Sequence, residues 1–279
     1  MKYFLSNSGI KIPNMIYGTA WKKDATSKLV EQALKEGFRG VDTAGQPKHY
    51  REDLVGNGLL KAFDSGLKKE DIYIQTKFTP IDGQDRSNMP YSQNDSIQTQ
   101  IEKSFSISKQ NLKLEYIDSY ILHSPIFPGS KLLKAWDVMS NFCKNKEVGQ
   151  LGISNCYDLD VLKYLYEKVE IKPNILQNRF FAQTSYDKDI RQWCKQKGII
   201  YQSFWSLTAN PHILANEILI NFSKKYNKSE ALIFYRYLNQ KGIIPLNGTT
   251  SKKHMKGDLE ISDFILEDYE IEQIDALLK

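Results

Sequence analysis

Short apolar runs alternate along the chain with longer segments whose apolar residues recur every three or four positions. The short runs, bounded by glycine and polar residues, predict buried strands, and the recurring spacing predicts amphipathic helices. A small hairpin is predicted over residues 3–12. Eight further strands are predicted at residues 15–17, 38–41, 72–76, 116–122, 149–153, 174–176, 198–203 and 242–245.

Helical patterns lie between and after these strands. They cover residues 29–34, 52–63, 96–109, 131–145, 158–167, 187–196, 212–225, 229–240 and 267–278, with one more helix opened by residues 248–250. Strict strand–helix alternation implies a parallel sheet. Eight such units in 279 residues predict an α/β protein with a (β/α)₈ TIM barrel, whose usual length is about 250 residues. We expect one domain over residues 1–279.

An open, doubly wound sheet is the alternative fold. Its dinucleotide-binding form places Gly-x-Gly-x-x-Gly directly after a strand, and no predicted strand is followed by that motif. The nearest match, Gly56-Asn57-Gly58, lies inside a predicted helix and lacks the third glycine. We interpret these glycines as helix-packing positions.

Composition narrows the class of protein. Hydrophobic residues make up 41% and charged residues 25% of the chain, as in ordinary soluble enzymes, and no apolar run approaches the ~20 residues of a membrane span. The polar N-terminus does not resemble a secretory signal. The net charge of +5 comes from lysines interleaved with acids, which indicates solvated surfaces and no nucleic-acid partner. We expect a cytoplasmic protein.

The cysteines add little chemistry. Cys143, Cys156 and Cys194 are far apart and odd in number. This spacing predicts reduced thiols with no disulfide framework and no metal site.

Polar residues stand directly after most predicted strands. In a barrel, the carboxyl ends of the strands meet at one face, where active sites lie. Six residues in register with strand ends therefore form a stronger signal than any one of them alone. These residues are Asp42, Tyr50, Lys77, His123, Asn155 and Gln177.

The residue types indicate proton transfer to an oxygen atom. The Tyr50 phenol can protonate an oxygen that is becoming an alkoxide, and the Lys77 ammonium is expected to lower the phenol pKa. Asp42 would supply the counter-charge of a buried lysine, and His123 can orient the same oxygen. The set contains no reductant, so a hydride has to come from a cofactor.

Neutral amides and an aromatic ring complete the predicted site. Asn155 and Gln177 are suited to a carboxamide such as that of nicotinamide. Phe204, after the seventh barrel strand, offers a ring on which the nicotinamide can stack.

From about residue 5 to residue 276 the chain resembles the aldo-keto reductase superfamily. The resemblance rests on seven motifs in order: Gly18-Thr19-Ala20-Trp21, Val41-Asp42-Thr43-Ala44, Tyr50-x-Glu52-x-x-Val55-Gly56, Thr76-Lys77, Leu122-His123, Gly152-Ile153-Ser154-Asn155 and Gln177. It implies a (β/α)₈ barrel that reduces small-molecule carbonyl compounds with NAD(P)H. A monomer is the state that the family implies.

The resemblance also implies residue roles. The catalytic set would be Asp42, Tyr50, Lys77 and His123, and the substrate would contact Trp21, His49, Tyr50 and His123. The cofactor would contact Gly18, Thr19, Ala20, Asp42, Ser154, Asn155, Gln177, Phe204, Trp205, Ser206, Leu207, Gly248, Thr249, Thr250 and His254.

The loop between the acid and the phenol departs from the family pattern. Asp42 and Tyr50 are eight residues apart, whereas the family spacing is five, which would fall on Pro47. Proline cannot donate a proton. Tyr50 is favoured because Glu52 and the Val55-Gly56 pair follow it, so the loop is expected to bulge and to bring His49 into the pocket.

The segment expected to bind the adenosine phosphate also departs. Gly248 stands where many members carry lysine, and His254 stands where they carry arginine. Thr249, Thr250 and the lysines at 252 and 253 would still hold a 2′-phosphate at a helix N-terminus. NADPH is therefore the expected cofactor, ahead of NADH. The alternative interpretation of this segment is that it is an ordinary capped helix start that binds no phosphate.

Two short segments predict an open pocket. In the family that the chain resembles, a long loop after the seventh barrel strand folds over the cofactor and a C-terminal tail walls the substrate pocket. Here the connection at 206–213 is short, and the chain ends after its last helix. We therefore expect weak substrate selectivity and fast cofactor exchange, with Trp21 and the loop at 80–94 as the remaining walls. Two other functions stay open: a catalytically weak dinucleotide-binding regulatory subunit or sensor, and a cofactor-free barrel hydrolase, for which Asp42 is the only acid placed at a strand end.

Overall fold

Eight parallel strands close into a barrel in the computed structural model, which describes residues 3–278. The predicted (β/α)₈ TIM barrel is confirmed, with the strands hydrogen-bonded in chain order and the last paired to the first. The strands are β3 (Ile16–Gly18), β4 (Gly40–Asp42), β5 (Tyr73–Phe78), β6 (Ile117–Leu122), β7 (Val148–Ser154), β8 (Ile175–Arg179), β9 (Ile200–Phe204) and β10 (Ile243–Asn247), numbered after the two strands of a hairpin.

Helices surround the barrel. They are α1 (Thr26–Glu36), α2 (Glu52–Asp64), α3 (Ile97–Leu112), α4 (Gly129–Lys144), α5 (Leu159–Lys168), α6 (Lys188–Lys197), α7 (Pro211–Leu214), α8 (Glu217–Tyr226), α9 (Glu230–Gln240), α10 (Lys252–Asp258) and α11 (Asp268–Asp275). Their apolar faces pack on the outward-facing strand residues. Within the described range, no helix combines the length and apolar character required to span a membrane.

The predicted hairpin packs against the base of the barrel. Strands β1 (Tyr3–Leu5) and β2 (Lys11–Pro13) pair antiparallel. Ile12 is fully buried in a cluster with residues near the amino ends of the barrel strands, among them Ile16, Ile175 and Ile200. Burial of these side chains seals the barrel at the end opposite the polar residues.

The predicted helix at 212–225 is wrong as a single helix, because the structure contains two. Pro211 occupies the first turn of α7, which ends at Leu214. The side chain of Asn216 then accepts a hydrogen bond from the Ile218 amide and starts α8. Asparagine is a preferred N-cap residue that competes with helix continuation.

Several predicted boundaries also shift. The strand expected at 38–41 is observed as Gly40–Asp42, and the last helix spans Asp268–Asp275 where 267–278 was predicted. Helix α10 begins after its cap Ser251. The reading of Gly56 as a packing position agrees with the structure, since a Cβ there would lie 2.0 Å from the Asn111 carbonyl oxygen.

Candidate active site

A buried ion pair lies at the centre of the barrel mouth. Asp42 ends β4, and Lys77 lies on the neighbouring strand β5. The Lys77 Nζ is 2.7 Å from both carboxylate oxygens of Asp42 and also donates to the Thr43 carbonyl at 2.8 Å. Burial lowers the pKa of Lys77, and the Asp42 charge opposes this effect. A charge pair removed from water needs such complete hydrogen bonding to persist.

The long loop delivers Tyr50 to this pair. Its backbone folds back on itself, with the amides of His49 and Tyr50 both donating to the Gln46 carbonyl. The Gln46 side chain donates to the Gly83 carbonyl and ties the turn to the 80–94 loop. The Tyr50 ring centroid lies 5.3 Å from the Lys77 Nζ. The expected bulge is observed, and it absorbs the three extra residues.

The expected direction of the Tyr50 pKa is wrong. Burial raises the pKa of Tyr50, and the Asp42 carboxylate raises it further. Lys77 was expected to lower it, but its charge is compensated by the two short contacts to Asp42. The phenol therefore stays protonated over the whole neutral range.

His123 faces the phenol from the end of β6. Its ring centroid lies 6.1 Å from that of Tyr50, and its Nδ1 is 2.7 Å from the Thr79 hydroxyl oxygen. Burial, the Lys77 charge and His49 together place the pKa of His123 well below its usual range. The imidazole is therefore neutral, and Nε2 is the ring nitrogen left to contact a ligand.

Trp21 and His49 form one wall of the mouth. Their rings stack with centroids 3.9 Å apart, and the Trp21 amide donates to the His49 carbonyl at 2.8 Å. Trp21 adopts a positive φ of 63° and is 59% exposed. Burial, and next to it the neighbouring Lys48 charge, lowers the pKa of His49. The wall is therefore a neutral aromatic surface.

The three predicted carboxamide contacts lie beside the ion pair. The Asn155 amide nitrogen donates to the His123 carbonyl at 2.8 Å, and the Ser154 hydroxyl donates to the Gln177 carbonyl at 2.7 Å. The Gln177 Nε2 donates to Asp42 at 3.1 Å. No hydrogen bond reaches its Oε1 from residues 3–278, so this oxygen is available to accept from a ligand amide. This donor and acceptor pattern fits a carboxamide.

Sequence reasoning missed two glutamines that hold this arrangement. Gln75 and Gln202 form a reciprocal amide pair, with N···O distances of 2.8 and 3.0 Å. The Gln75 Nε2 also donates to the Asp42 Oδ1 at 2.5 Å, and Gln202 accepts from Gln177 at 2.9 Å. All three glutamines are buried. This glutamine layer fixes both the Asp42 carboxylate and the amide orientation of Gln177.

Substitution Gln75→Met is expected to lower kcat roughly tenfold, because Asp42 loses a buried donor worth about 1.5–3 kcal/mol. Gln150→Met is the matched control. Gln150 is equally buried on β7, but its amide donates to Ser119 at 2.8 Å and does not contact Asp42. Urea unfolding should show similar losses of stability in both variants, with kcat reduced only in Gln75→Met. Equal kcat values would contradict a role of Gln75 in positioning Asp42.

A second polar region joins β3 to β10. The Lys22 Nζ, which sequence reasoning also missed, donates to the Gly248 carbonyl at 2.7 Å and lies 5.0 Å from the Tyr17 ring centroid. Burial lowers the pKa of Lys22 to about 8. The Tyr17 hydroxyl donates to the Thr249 carbonyl at 2.9 Å. Gly248 thus contacts the buried Lys22 and Thr249 contacts Tyr17, whereas the predicted Thr250 and His254 lie exposed farther along.

The remaining predicted cofactor contacts lie beside the ion pair or along β9. The Thr19 hydroxyl donates to the Asp42 carbonyl at 2.8 Å, which places the segment Gly18-Thr19-Ala20 beside β4.

The predicted contacts 204–207 lie at the end of β9 and just beyond it. Phe204 is half-buried, and Ser206 is buried against Ser203. Trp205 has a φ of 56° and is 49% exposed. Leu207 packs against the apolar core.

Glu52 is a buried carboxyl group behind the active site. Both of its oxygens accept from hydroxyls, of Thr76 at 2.5 Å and of Ser108 at 2.9 Å. Burial raises the pKa of Glu52 to about 7, against the effect of these hydrogen bonds and of Lys77. Between the unfolded pKa near 4.5 and about 7 the folded state binds more protons than the unfolded state. Stability therefore falls as pH rises through this window.

Glu52→Gln should remove this pH dependence, because an amide does not ionise. The free energy of unfolding in urea would be compared for wild type and variant at pH 5 and pH 8. The variant is expected to gain about 2 kcal/mol relative to wild type over this interval. An unchanged difference would show that Glu52 titrates at its ordinary pKa in the folded protein.

Comparison with known proteins identifies the family of this chain. The family model "Aldo/keto reductase family" matches residues 14–279. The glyoxal reductase of Bacillus subtilis (strain 168) is 29% identical over 254 residues, covering 91% of this chain and 83% of the relative. The 9,11-endoperoxide prostaglandin H2 reductase of Trypanosoma cruzi (strain CL Brener) is 28% identical, covering 97% and 89%.

Solved structures agree in fold. An aldo/keto reductase from Brucella melitensis superposes with a TM-score of 0.83 at 24% identity, covering 99% of both chains. A Bombyx mori aldo-keto reductase in complex with NADP has a TM-score of 0.83 at 22% identity, covering 99% of this chain and 92% of the other. Together with the family match over nearly the whole sequence, these findings show that the chain is an oxidoreductase of the aldo/keto reductase family.

Proposed function

We propose that the protein reduces a small aldehyde or ketone to the alcohol with NADPH, NADH being the second choice. The observation that carries this proposal is the position of the Tyr50 phenol, between the Lys77–Asp42 pair and a neutral His123. A protonated phenol, a buried ammonium and a neutral imidazole around one opening suit an oxygen that gains negative charge. The name of the glyoxal reductase relative supports a small carbonyl substrate.

The residues of this chain would supply the proton and the charge stabilisation. The reduced nicotinamide, when bound, supplies the hydride to the carbonyl carbon. Tyr50 donates its proton to the carbonyl oxygen, so aldehyde, hydride and proton together give the alcohol. An alkoxide is a stronger base than a phenolate, so this transfer is favourable even with the raised pKa of Tyr50. Reprotonation of Tyr50 by solvent would complete the cycle, and the nearest cation to the phenol ring is Lys77, whose Nζ lies 5.3 Å from the ring centroid.

Other side chains would orient the reactants. His123 directs its Nε2 to the carbonyl oxygen, because its Nδ1 contacts Thr79. The Gln177 Oε1 accepts from the carboxamide nitrogen of the nicotinamide, since the Gln177 amide hydrogens are bound by Asp42 and Gln202. Lys22, which donates to the Gly248 carbonyl after β10, would offer a buried cation to the cofactor phosphates.

The decisive experiment measures oxidation of NADPH and, separately, of NADH with 4-nitrobenzaldehyde, followed by the absorbance of the reduced nicotinamide. Aldehyde-dependent oxidation is expected, faster with NADPH. Tight NADPH binding without turnover of this or any other carbonyl compound would support the sensor function. Failure to bind either dinucleotide would exclude both functions.

A further inference from the structure

The guanidinium group of Arg179 is held between two aromatic rings at the mouth of the barrel. It lies 4.2 Å from the centroid of the Trp205 ring and 5.2 Å from that of Phe181. Trp205 is 49% exposed, so this stack borders solvent at the carboxyl ends of β8 and β9. Arginine stacks on aromatic faces while its N–H groups stay available in the plane of the guanidinium.

Arg179 lacks an acidic partner within residues 3–278. No carboxylate oxygen of these residues lies within 4.0 Å of its guanidinium, although fifteen other ion pairs meet that criterion. Its Nε is buried without a hydrogen-bond partner. A buried donor left unpaired costs free energy. No acceptor within residues 3–278 competes for this side of the guanidinium.

The backbone of Arg179 is tied to the predicted carboxamide site. Its amide donates to the Tyr157 hydroxyl oxygen at 3.1 Å, and Tyr157 in turn donates to the Asn155 side chain at 3.3 Å. Arg179 follows Gln177 by two residues on β8, and Trp205 follows Phe204. The guanidinium therefore belongs to the rim around the reaction site.

We propose that Arg179 binds a phosphate or carboxylate group of a molecule that enters the barrel mouth. This inference rests on the proposed function, which states that the molecules entering the barrel mouth are a dinucleotide and a carbonyl substrate. A guanidinium with stacked faces and a free edge presents paired donors that match two oxygens of such a group. The anion belongs either to the phosphates of the dinucleotide or to a carboxylated carbonyl substrate, and the experiment separates these sources.

The test compares Arg179→Met with Arg191→Met. Arg191 is the matched control because it is also half-buried and stacks on Phe180 at 5.5 Å, but its Nε donates to the Tyr186 carbonyl. Two quantities are measured for each variant: the Kd of NADPH and of NADH by fluorescence titration, and kcat/KM for 4-carboxybenzaldehyde and for neutral 4-nitrobenzaldehyde.

Loss of one charged, paired contact corresponds to a change of roughly 10- to 100-fold in Kd or in kcat/KM. A rise of that size in both dinucleotide Kd values in Arg179→Met assigns the anion to the cofactor phosphates. A fall of that size in the ratio of kcat/KM for the carboxylated over the neutral aldehyde assigns it to the substrate. Arg191→Met should change neither quantity. Changes below twofold in both quantities for Arg179→Met would overturn the proposal.

The experiment distinguishes failure of the Arg179 anion site from failure of the proposed reductase function. The dinucleotide titration needs no turnover, so it still tests Arg179 if wild type reduces neither aldehyde. Wild-type reduction of 4-nitrobenzaldehyde with Arg179→Met indistinguishable from wild type in both quantities would leave the reductase intact and remove only the anion site.

Discussion

Tyr50→Phe is expected to lower kcat for aldehyde reduction roughly a thousandfold, as loss of a general acid does. The change removes one oxygen atom and keeps the ring that lies 5.3 Å from the Lys77 Nζ and 6.1 Å from His123. No hydrogen bond of the Tyr50 hydroxyl to another residue in 3–278 is lost, so stability should change little. Steady-state kinetics and a fluorescence titration with NADPH measure the two effects.

His49→Phe is the matched control for Tyr50→Phe. It removes the neighbouring polar group of the same loop but keeps an aromatic ring beside Trp21. Its kcat should stay within about tenfold of wild type, because a positioning contact contributes less than the proton donor. If kcat survives in Tyr50→Phe and collapses in His49→Phe, the proton donor is the histidine, and the long loop has exchanged the two roles.

Lys77→Met is expected to abolish activity and also to destabilise the fold by about 3 kcal/mol or more, the usual consequence of leaving one charge of a buried pair. The Asp42 carboxylate would then keep only the amide donors of Gln75 and Gln177, at 2.5 and 3.1 Å. Urea unfolding measures the loss of stability, and aldehyde-dependent NADPH oxidation measures the loss of activity.

The double variant Asp42→Asn/Lys77→Met separates these effects. Neutralising the orphaned carboxylate should restore most of the lost stability, since uncharged side chains often replace buried ion pairs at little cost. Activity should not return, because the ammonium beside Tyr50 is still missing. A double variant no more stable than Lys77→Met would mean that packing, and not the unpaired charge, sets the cost.

Much of the site was predictable from sequence because it lies at strand ends. Asp42 ends β4, Lys77 is the last but one residue of β5, and His123 directly follows β6. A barrel brings such positions to one face whatever the length of the connections. The same rule indicated Asn155, which directly follows β7, and Gln177, although β8 continues past Gln177 to Arg179. The prediction therefore needed the order of strands and helices and not their precise boundaries.

Contacts that cross the barrel were not predictable in this way. Gln75 and Gln202 are 127 positions apart and meet only through the closed sheet and its register. In the sequence each is a polar residue within a predicted strand. A polar residue at such a position is equally typical of a side chain that faces solvent. The recurrence of a glutamine in the middle of three strands, at Gln75, Gln177 and Gln202, was the available signal.

The wrong direction for the Tyr50 pKa has a similar origin. Residue types show that Lys77 stands near a phenol, but they do not show how closely Asp42 compensates its charge. That compensation depends on two distances of 2.7 Å. Arg179 was missed because an arginine after a strand carries no sign of the rings that enclose it.

In the part of the chain that the structure describes, the hairpin closes the base of the barrel and leaves the end with the polar residues as the entrance. Ile12 and its neighbours close one end of the barrel, and the glutamine layer fills the level above them. Two reactants that share one entrance bind in sequence. The reactant that lies deeper binds first and leaves last. For the proposed reaction, ordered binding of the two reactants is therefore the expected consequence of how residues 3–13 pack.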